Sequence, residues 1–179
     1  MLSTTRPLVR RALERAGLQH IAARVLGGEA LGDADFAQLR AADLLAVAAL
    51  ADLVREQAQG DEVALVDLGV GSEGVPANVV WARPELGATE GATGLDALRE
   101  VALVRLASPR ALAVAVSYDA LGEGLAQAAL TFGASVLVGT MTRRTTLPMA
   151  DEAGTRTRKA DLLGRVERAG RRARWGVSP

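Results

Sequence analysis

The chain has 179 residues, of which 49% are hydrophobic, 23% charged and 3% aromatic, a composition that predicts one soluble globular domain. Basic and acidic residues number 21 each, so no net charge draws the chain toward nucleic acid or an anionic membrane. The lack of cysteine excludes disulfides, thiolate nucleophiles and Cys-ligated iron–sulfur or zinc centres, and the single His20 disfavours a Ser/His/Asp triad or a multi-His metal site.

Targeting signals are not visible in the sequence. The first residues contain no apolar segment of signal-peptide length, and no stretch reaches the roughly 20 apolar residues of a membrane span. We therefore expect a cytoplasmic protein without a transmembrane segment. His20 is expected to have a surface or structural role.

The N-terminal third of the chain has helical periodicity. Apolar residues in 7–25 predict a helix that is interrupted near Gly17, or two short helices. Asp33 is the predicted N-cap of a following helix, and the apolar spacing of 36–54 predicts one long buried helix that ends near Gly60.

Short apolar runs then alternate with helical patterns. Strands are predicted at 63–68, 78–82, 112–116 and 135–138, and helices begin at Thr93 or Gly94 and at Leu121. This order predicts an α/β fold in which N-terminal helices precede a mostly parallel four-stranded sheet with crossover helices. We expect a single α/β domain over 1–142, with a helical lead-in at 1–60 and βα units at 61–142.

The C-terminal segment 143–179 differs in composition, because it holds ten basic residues against four acidic ones. It is predicted to form an arginine-rich loop and one short helix. A solvated surface is one interpretation, and docking on an acidic protein partner or on phosphates is the other. The candidate partner-binding residues are Arg143, Arg144, Arg171, Arg172, Arg174 and Trp175.

A glycine-rich loop follows the first predicted strand. Gly69, Gly71 and Gly74 match G-x-G-x-x-G directly after Asp67, a pattern typical of loops that bind nucleotides or adenosyl methionine. The next predicted strand begins too soon for the crossover helix that such a site requires. A plain connection is therefore favoured over a methyltransferase site.

Polar residues also stand where predicted strands end. Ser117, Tyr118 and Asp119 follow the third strand, and Gly139 and Thr140 follow the fourth. With Asp67, they are candidate ligand-binding residues at the carboxyl edge of a parallel sheet. The alternatives are that Asp67 caps a loop and that Asp119 begins a helix.

Four stretches resemble, in order, pieces of the radical-SAM enzymes of the futalosine route to menaquinone, the family of aminofutalosine synthase and dehypoxanthine futalosine cyclase. They are 25–55, 91–106, 125–140 and 163–170, and the Phe-Gly-Ala block at 132–134 with Gly139 and Thr140 is the most specific. The resemblance implies a barrel-type fold. Because the family is about twice as long, it further implies a partial, half TIM-type barrel.

The departures from the family concern its chemistry. The family binds a [4Fe–4S] cluster through three cysteines after the first strand, where this chain has 69–74. Arg143 and Arg144 stand where the family tends to have a Glu pair. The resemblance therefore implies a chain without an iron–sulfur cluster, metal or catalytic residue, for which adenosyl methionine is disfavoured as a cofactor.

Two functions follow from these patterns. The first is a non-catalytic interaction or regulatory subunit, a pseudoenzyme, whose open sheet edges pair in a homo-oligomer or dock on a barrel-type paralogue. The second is a small-molecule protein or cluster-free enzyme that binds a nucleoside or phosphate at the strand ends, with Arg143 and Arg144 nearby. Membership of menaquinone biosynthesis rests on the resemblance alone.

Overall fold

The computed structural model describes residues 6–67, 78–84, 93–142 and 157–176. Within these ranges the chain forms seven α-helices, α1 to α7. Their bounds are Pro7–Arg15, Gln19–Gly27, Asp33–Ala41, Leu44–Gln59, Gly94–Ala107, Tyr118–Ala129 and Lys159–Arg168.

The interruption predicted near Gly17 is confirmed, because α1 and α2 are separate helices and Gly17 has a φ of 68°. The single long helix predicted over 36–54 is wrong. The chain leaves helical geometry at Ala42, and Asp43 caps a new helix through an Oδ1 that accepts a hydrogen bond from the Ala46 N–H at 3.0 Å. The apolar periodicity of the sequence continues across this break, and the break could therefore not be seen from the periodicity.

Asp33 is not the N-cap that the sequence predicts. Gly32 occupies the cap position of α3, and the Asp35 carboxylate accepts a hydrogen bond from the Gly32 N–H at 2.8 Å. The helix predicted to begin at Thr93 or Gly94 is α5, which begins at Gly94, and Thr93 caps it with Asp96 completing a reciprocal pair of hydrogen bonds.

The strands β1 to β7 form two parallel sheets. Their bounds are Glu62–Asp67, Val79–Trp81, Ala113–Ser117, Val136–Gly139, Met141–Thr142, Thr157–Arg158 and Arg172–Trp175. The main sheet has the order β2-β3-β4-β1-β7 with every neighbouring pair parallel, and β5 pairs with β6 separately. The α/β class and the parallel sheet are thus confirmed, whereas the half-barrel description is not.

The sheet has five strands rather than the predicted four. The fifth, β7, comes from 143–179, the segment predicted to be an arginine-rich loop with one short helix. It pairs with β1, with Glu62 opposite Arg172 and Leu65 opposite Trp175. Two arginines in four residues hid this strand, because they break the apolar pattern by which strands are recognised.

Core packing is concentrated on one face of the main sheet. Val63, Leu65, Val114, Val116 and Leu137 point toward the helices and belong to one cluster to which all seven described helices contribute. The opposite face carries a smaller cluster of mostly small side chains, Ala64, Val66, Ala113, Ala115, Val136 and Val138. Among the described helices, none is both long and apolar enough to cross a membrane.

Candidate functional site

The five parallel strands of the main sheet end at the same edge, and the last residues of β1 to β4 are Asp67, Trp81, Ser117 and Gly139. In open parallel sheets this carboxyl edge is where ligands usually bind. Asp67 stands directly opposite Gly139 in the β1–β4 register. The structure therefore brings together the predicted strand-end residues 67, 117–119 and 139–140.

The polar groups of β3 and α6 at this edge are engaged in internal hydrogen bonds. Ser117 Oγ accepts from the Ala120 N–H at 3.3 Å and so caps α6. Asp119 Oδ2 accepts from the Thr140 N–H at 2.8 Å, and the Tyr118 hydroxyl donates to the Thr140 carbonyl. The Ser117 hydroxyl thus caps α6, and the Tyr118 phenol and the Asp119 carboxylate bind α6 to Thr140 at the end of β4.

The Tyr118 ring fills the space above the end of β4. The residue is 1% exposed, and a Cβ added to Gly139 would lie 2.7 Å from Tyr118 Cδ1. Glycine at position 139 therefore allows the Tyr118 ring to pack closely against the end of β4. The predicted loop glycines Gly69, Gly71 and Gly74 lie outside the described residues.

A cavity of about 360 Å³ opens beside this cluster, at the ends of β2 and β3. Its lining is mostly apolar and consists of Trp81, Ala82, Arg83, Pro84, Ser117, Ala120 and Leu121. The exposed Arg83 guanidinium lies 5.7 Å from the centroid of the Trp81 ring, within the range of a cation–π contact. Neither Arg83 nor Pro84 was among the predicted site residues, and an Arg-Pro pair directly after a predicted strand was the signal that could have found them.

Two of the predicted partner-binding arginines, Arg171 and Arg174, lie beside carboxylates. Arg171 donates to both carboxylate oxygens of Asp52 at 2.7 Å, and Arg174 Nε lies 3.3 Å from Glu62 Oε2. Arg172 is exposed, and Trp175 is 41% exposed. Arg143 and Arg144 lie outside the described residues.

The carboxyl groups with a shifted pKa lie away from this edge of the sheet or serve as helix caps. Hydrogen bonding from the Gly32 backbone lowers the pKa of Asp35, and hydrogen bonding from the Thr93 backbone lowers the pKa of Asp96. Burial lowers the pKa of Arg105 to about 10, although its guanidinium donates to the carbonyls of Ser108, Pro109 and Leu112. Each of these groups stabilises a turn or a helix end.

In the described part of the chain, no three His, Asp or Glu side chains are grouped so that they could hold a metal ion. His20 is exposed on α2. The full sequence has no cysteine, so its residues do not fit the thiolate-bound iron–sulfur cluster of the futalosine-route enzymes that it resembles.

Comparison with known proteins gives no family assignment. No model of a protein family matches the chain, and a search of curated proteins returns no match. The resemblance to the futalosine-route enzymes therefore stays a prediction from the sequence.

Proposed function

We propose that this chain is a non-catalytic interaction or regulatory subunit related to the radical-SAM enzymes of the futalosine route. The observation that carries the proposal is that the polar groups of Ser117, Tyr118 and Asp119 form hydrogen bonds within the protein. Parallel α/β enzymes place reacting groups at the carboxyl ends of their strands. Here these groups cap a helix and bind a neighbouring strand end instead.

The order of the strands supports the relationship. The fourth strand lies beside the first, as the last strand of a closed barrel lies beside its first strand, although β7 takes the place beside β1 that the second strand has in a barrel. The described helices share one face of the sheet, which is also their arrangement around a barrel. An open sheet of this kind retains two edges that must be paired or covered.

The β2 edge is the proposed interface, and its occupant is a second copy of this chain. Asn78 O and the Ala82 N–H bond to β3, so the peptide groups of Val79 and Trp81 point away from it. In the described part of the sheet, no strand lies beyond β2. Val79 and Trp81 are half-buried apolar residues, which suits an edge that pairs.

Light scattering of the purified chain at micromolar concentration tests this interface. We expect a dimer, and we expect Val79→Pro to be monomeric because proline removes the outward N–H. Val79→Thr is the matched control, since it keeps the N–H and should remain dimeric. A monomeric wild-type protein, or a Val79→Pro variant that still dimerises, would overturn the pairing of this edge.

The cavity beside Trp81 favours a second candidate function, the binding of a nucleoside or a phosphate. An indole ring can stack on a base, and a guanidinium can bind a phosphate. Trp175→Phe leaves Trp81 as the only tryptophan, so its fluorescence reports the cavity directly. Quenching by adenosine or phosphate that Arg83→Met weakens would support this function, and unchanged fluorescence would reject it.

A further inference from the structure

A second cavity, of about 240 Å³, lies among the helices beside the connection from α5 to β3. An apolar cavity of about 150 Å³ already admits a molecule of the size of benzene, so this one has room for one ring and a short polar arm. The residues that give its wall an apolar character come from four helices and from the connection between α2 and α3. They are Val25, Leu31, Phe36, Val54 and Leu106.

Arg110 is the cation of this wall. Its Nη2 donates to the Val25 carbonyl at 2.5 Å, near the end of α2, and its Nε is buried without a hydrogen-bond partner. Its Nη1 is neither buried nor hydrogen-bonded in the described part of the chain, where no carboxylate pairs with this guanidinium. Arg110 therefore keeps a donor and a positive charge for a group from outside the fold.

A second guanidinium lies close to Arg110. Arg105 is fully buried, and its hydrogen-bond acceptors are the carbonyls of Ser108, Pro109 and Leu112. Burial lowers the pKa of Arg105 to about 10, and the positive charge of Arg110 lowers it further in the same direction. Two cations thus meet at the connection from α5 to β3, and an anion bound at Arg110 would reduce their repulsion.

Glu29 is the acidic residue of the cavity wall, and it already has a cation. Its Oε2 lies 3.3 Å from Arg24 Nε, and its side chain is 65% exposed. Arg24 also donates to the Ala30 carbonyl at 2.8 Å, which holds the connection between α2 and α3 against α2. The Glu29 carboxylate is therefore neutralised by Arg24, whereas Arg110 is not neutralised by a carboxylate of the described residues.

We propose that this cavity binds a compact aromatic carboxylate. Its ring would lie among Leu31, Phe36 and Leu106, and its carboxylate would accept hydrogen bonds from Arg110. Phe36 is half-buried, so part of its ring is available for contact with a second ring. The inference is independent of the non-catalytic function proposed above, because it concerns neither the carboxyl edge of the sheet nor the pairing of β2.

Titration of the ¹⁵N-labelled full chain with phenylacetate tests the proposal. We expect saturable shifts in the backbone amide signals of Leu31, Phe36, Ala107 and Arg110. Phenylacetamide has the same ring without the charge and should bind about tenfold more weakly, and acetate, which lacks the ring, should not saturate at the same concentrations. Absence of saturable shifts at millimolar phenylacetate, or equal binding of the acid and its amide, would overturn the proposal.

Three variants locate the carboxylate through the preference for phenylacetate over phenylacetamide. Arg110→Gln should abolish this preference while leaving the binding of phenylacetamide unchanged, whereas a purely structural role of Arg110 would weaken both ligands. Arg110→Lys keeps the positive charge and should keep part of the preference. Glu29→Gln is the control, since it removes a neighbouring negative charge and should not lower the preference. A preference that survives Arg110→Gln, disappears in Arg110→Lys or falls in Glu29→Gln would contradict the proposal.

Discussion

Gly139 is where the end of β4 meets the ring of Tyr118, and the contact leaves no room for a Cβ. We expect Gly139→Ala to lower the free energy of unfolding by about 1–3 kcal/mol, because the buried ring cannot move aside without disturbing its neighbours. Urea denaturation measures this change. Gly124→Ala is the control, since a Cβ there meets nothing within 4 Å and alanine favours the helix, so this variant should be neutral or more stable. Equal stabilities for the two variants would contradict the packing argument.

The lowered pKa of Asp96 predicts that the stability of the fold depends on pH. Hydrogen bonding to the Thr93 backbone and hydroxyl lowers its pKa below the ordinary value of 3.8, so folding favours the ionised carboxylate. The stabilisation is complete above about pH 4 and is lost as the pH falls through the lowered pKa. In denaturation series from pH 6 to pH 2.5, the advantage of wild type over Asp96→Asn should shrink below about pH 4. A constant difference would show that the charge of this cap is unimportant.

At the scale of elements, α4 holds the last strand in place through one carboxylate. Asp52 accepts from Arg55 Nε at 2.8 Å and from Arg171 at 2.7 Å, so it links its own helix to the residue that precedes β7. The Arg55 side chain is fully buried and that of Arg171 is 8% exposed. Removing their shared partner leaves two guanidinium groups poorly compensated.

We therefore expect Asp52→Ala to lower the free energy of unfolding by about 3 kcal/mol, near the lower end of values for broken buried ion pairs. Hydrogen exchange should also become faster at the backbone amides of β7. Asp61 is a more exposed partner of Arg171, with 54% of its side chain accessible. Asp61→Ala should therefore lower the free energy of unfolding by less than about 1 kcal/mol. If the two variants lose equal stability, Asp52 is not the anchor of the strand.

The helices also show how far sequence patterns reach. Apolar periodicity identified the position of α1, α2 and α5 because each has a clear break or cap at its ends. The junction of α3 and α4 was missed, since apolar residues continue on both sides of Asp43. Arg99 of α5 donates to the carbonyls of Leu39 and Ala42 at this junction, and no local pattern reveals such a contact.

For the whole molecule, the position of β7 decides which edges of the sheet are open. Deleting 171–176 together with 177–179 would remove β7 and uncover β1, a central apolar strand. We expect this truncated chain to melt at a lower temperature and to form large species in light scattering, because an uncovered apolar edge pairs with other chains. Deleting only 177–179 should change neither property. A stable truncated chain of unchanged mass would show that β7 is dispensable for the sheet.

The sequence by itself determined the α/β class, the parallel strands, the grouping of the strand-end residues and the exclusion of cysteine-based chemistry. Each of these depends on local periodicity or on composition, which are properties of neighbouring residues and of the chain as a whole. The candidate site was only partly predictable: 117–119 and 139–140 were identified, whereas the cavities beside Trp81 and Arg110 were not.

Only the tertiary structure decided how the charged residues are used. Arginine is usually exposed, yet Arg55 and Arg105 are fully buried, because carbonyl groups at the ends of their own helices and, for Arg55, the Asp52 carboxylate accept hydrogen bonds from their guanidinium groups. Arg171 and Arg174, in contrast, pair with carboxylates from distant parts of the chain, Asp52 and Glu62. A charge shows its role only when its partner is known, and these partners lie up to 119 residues away in the chain.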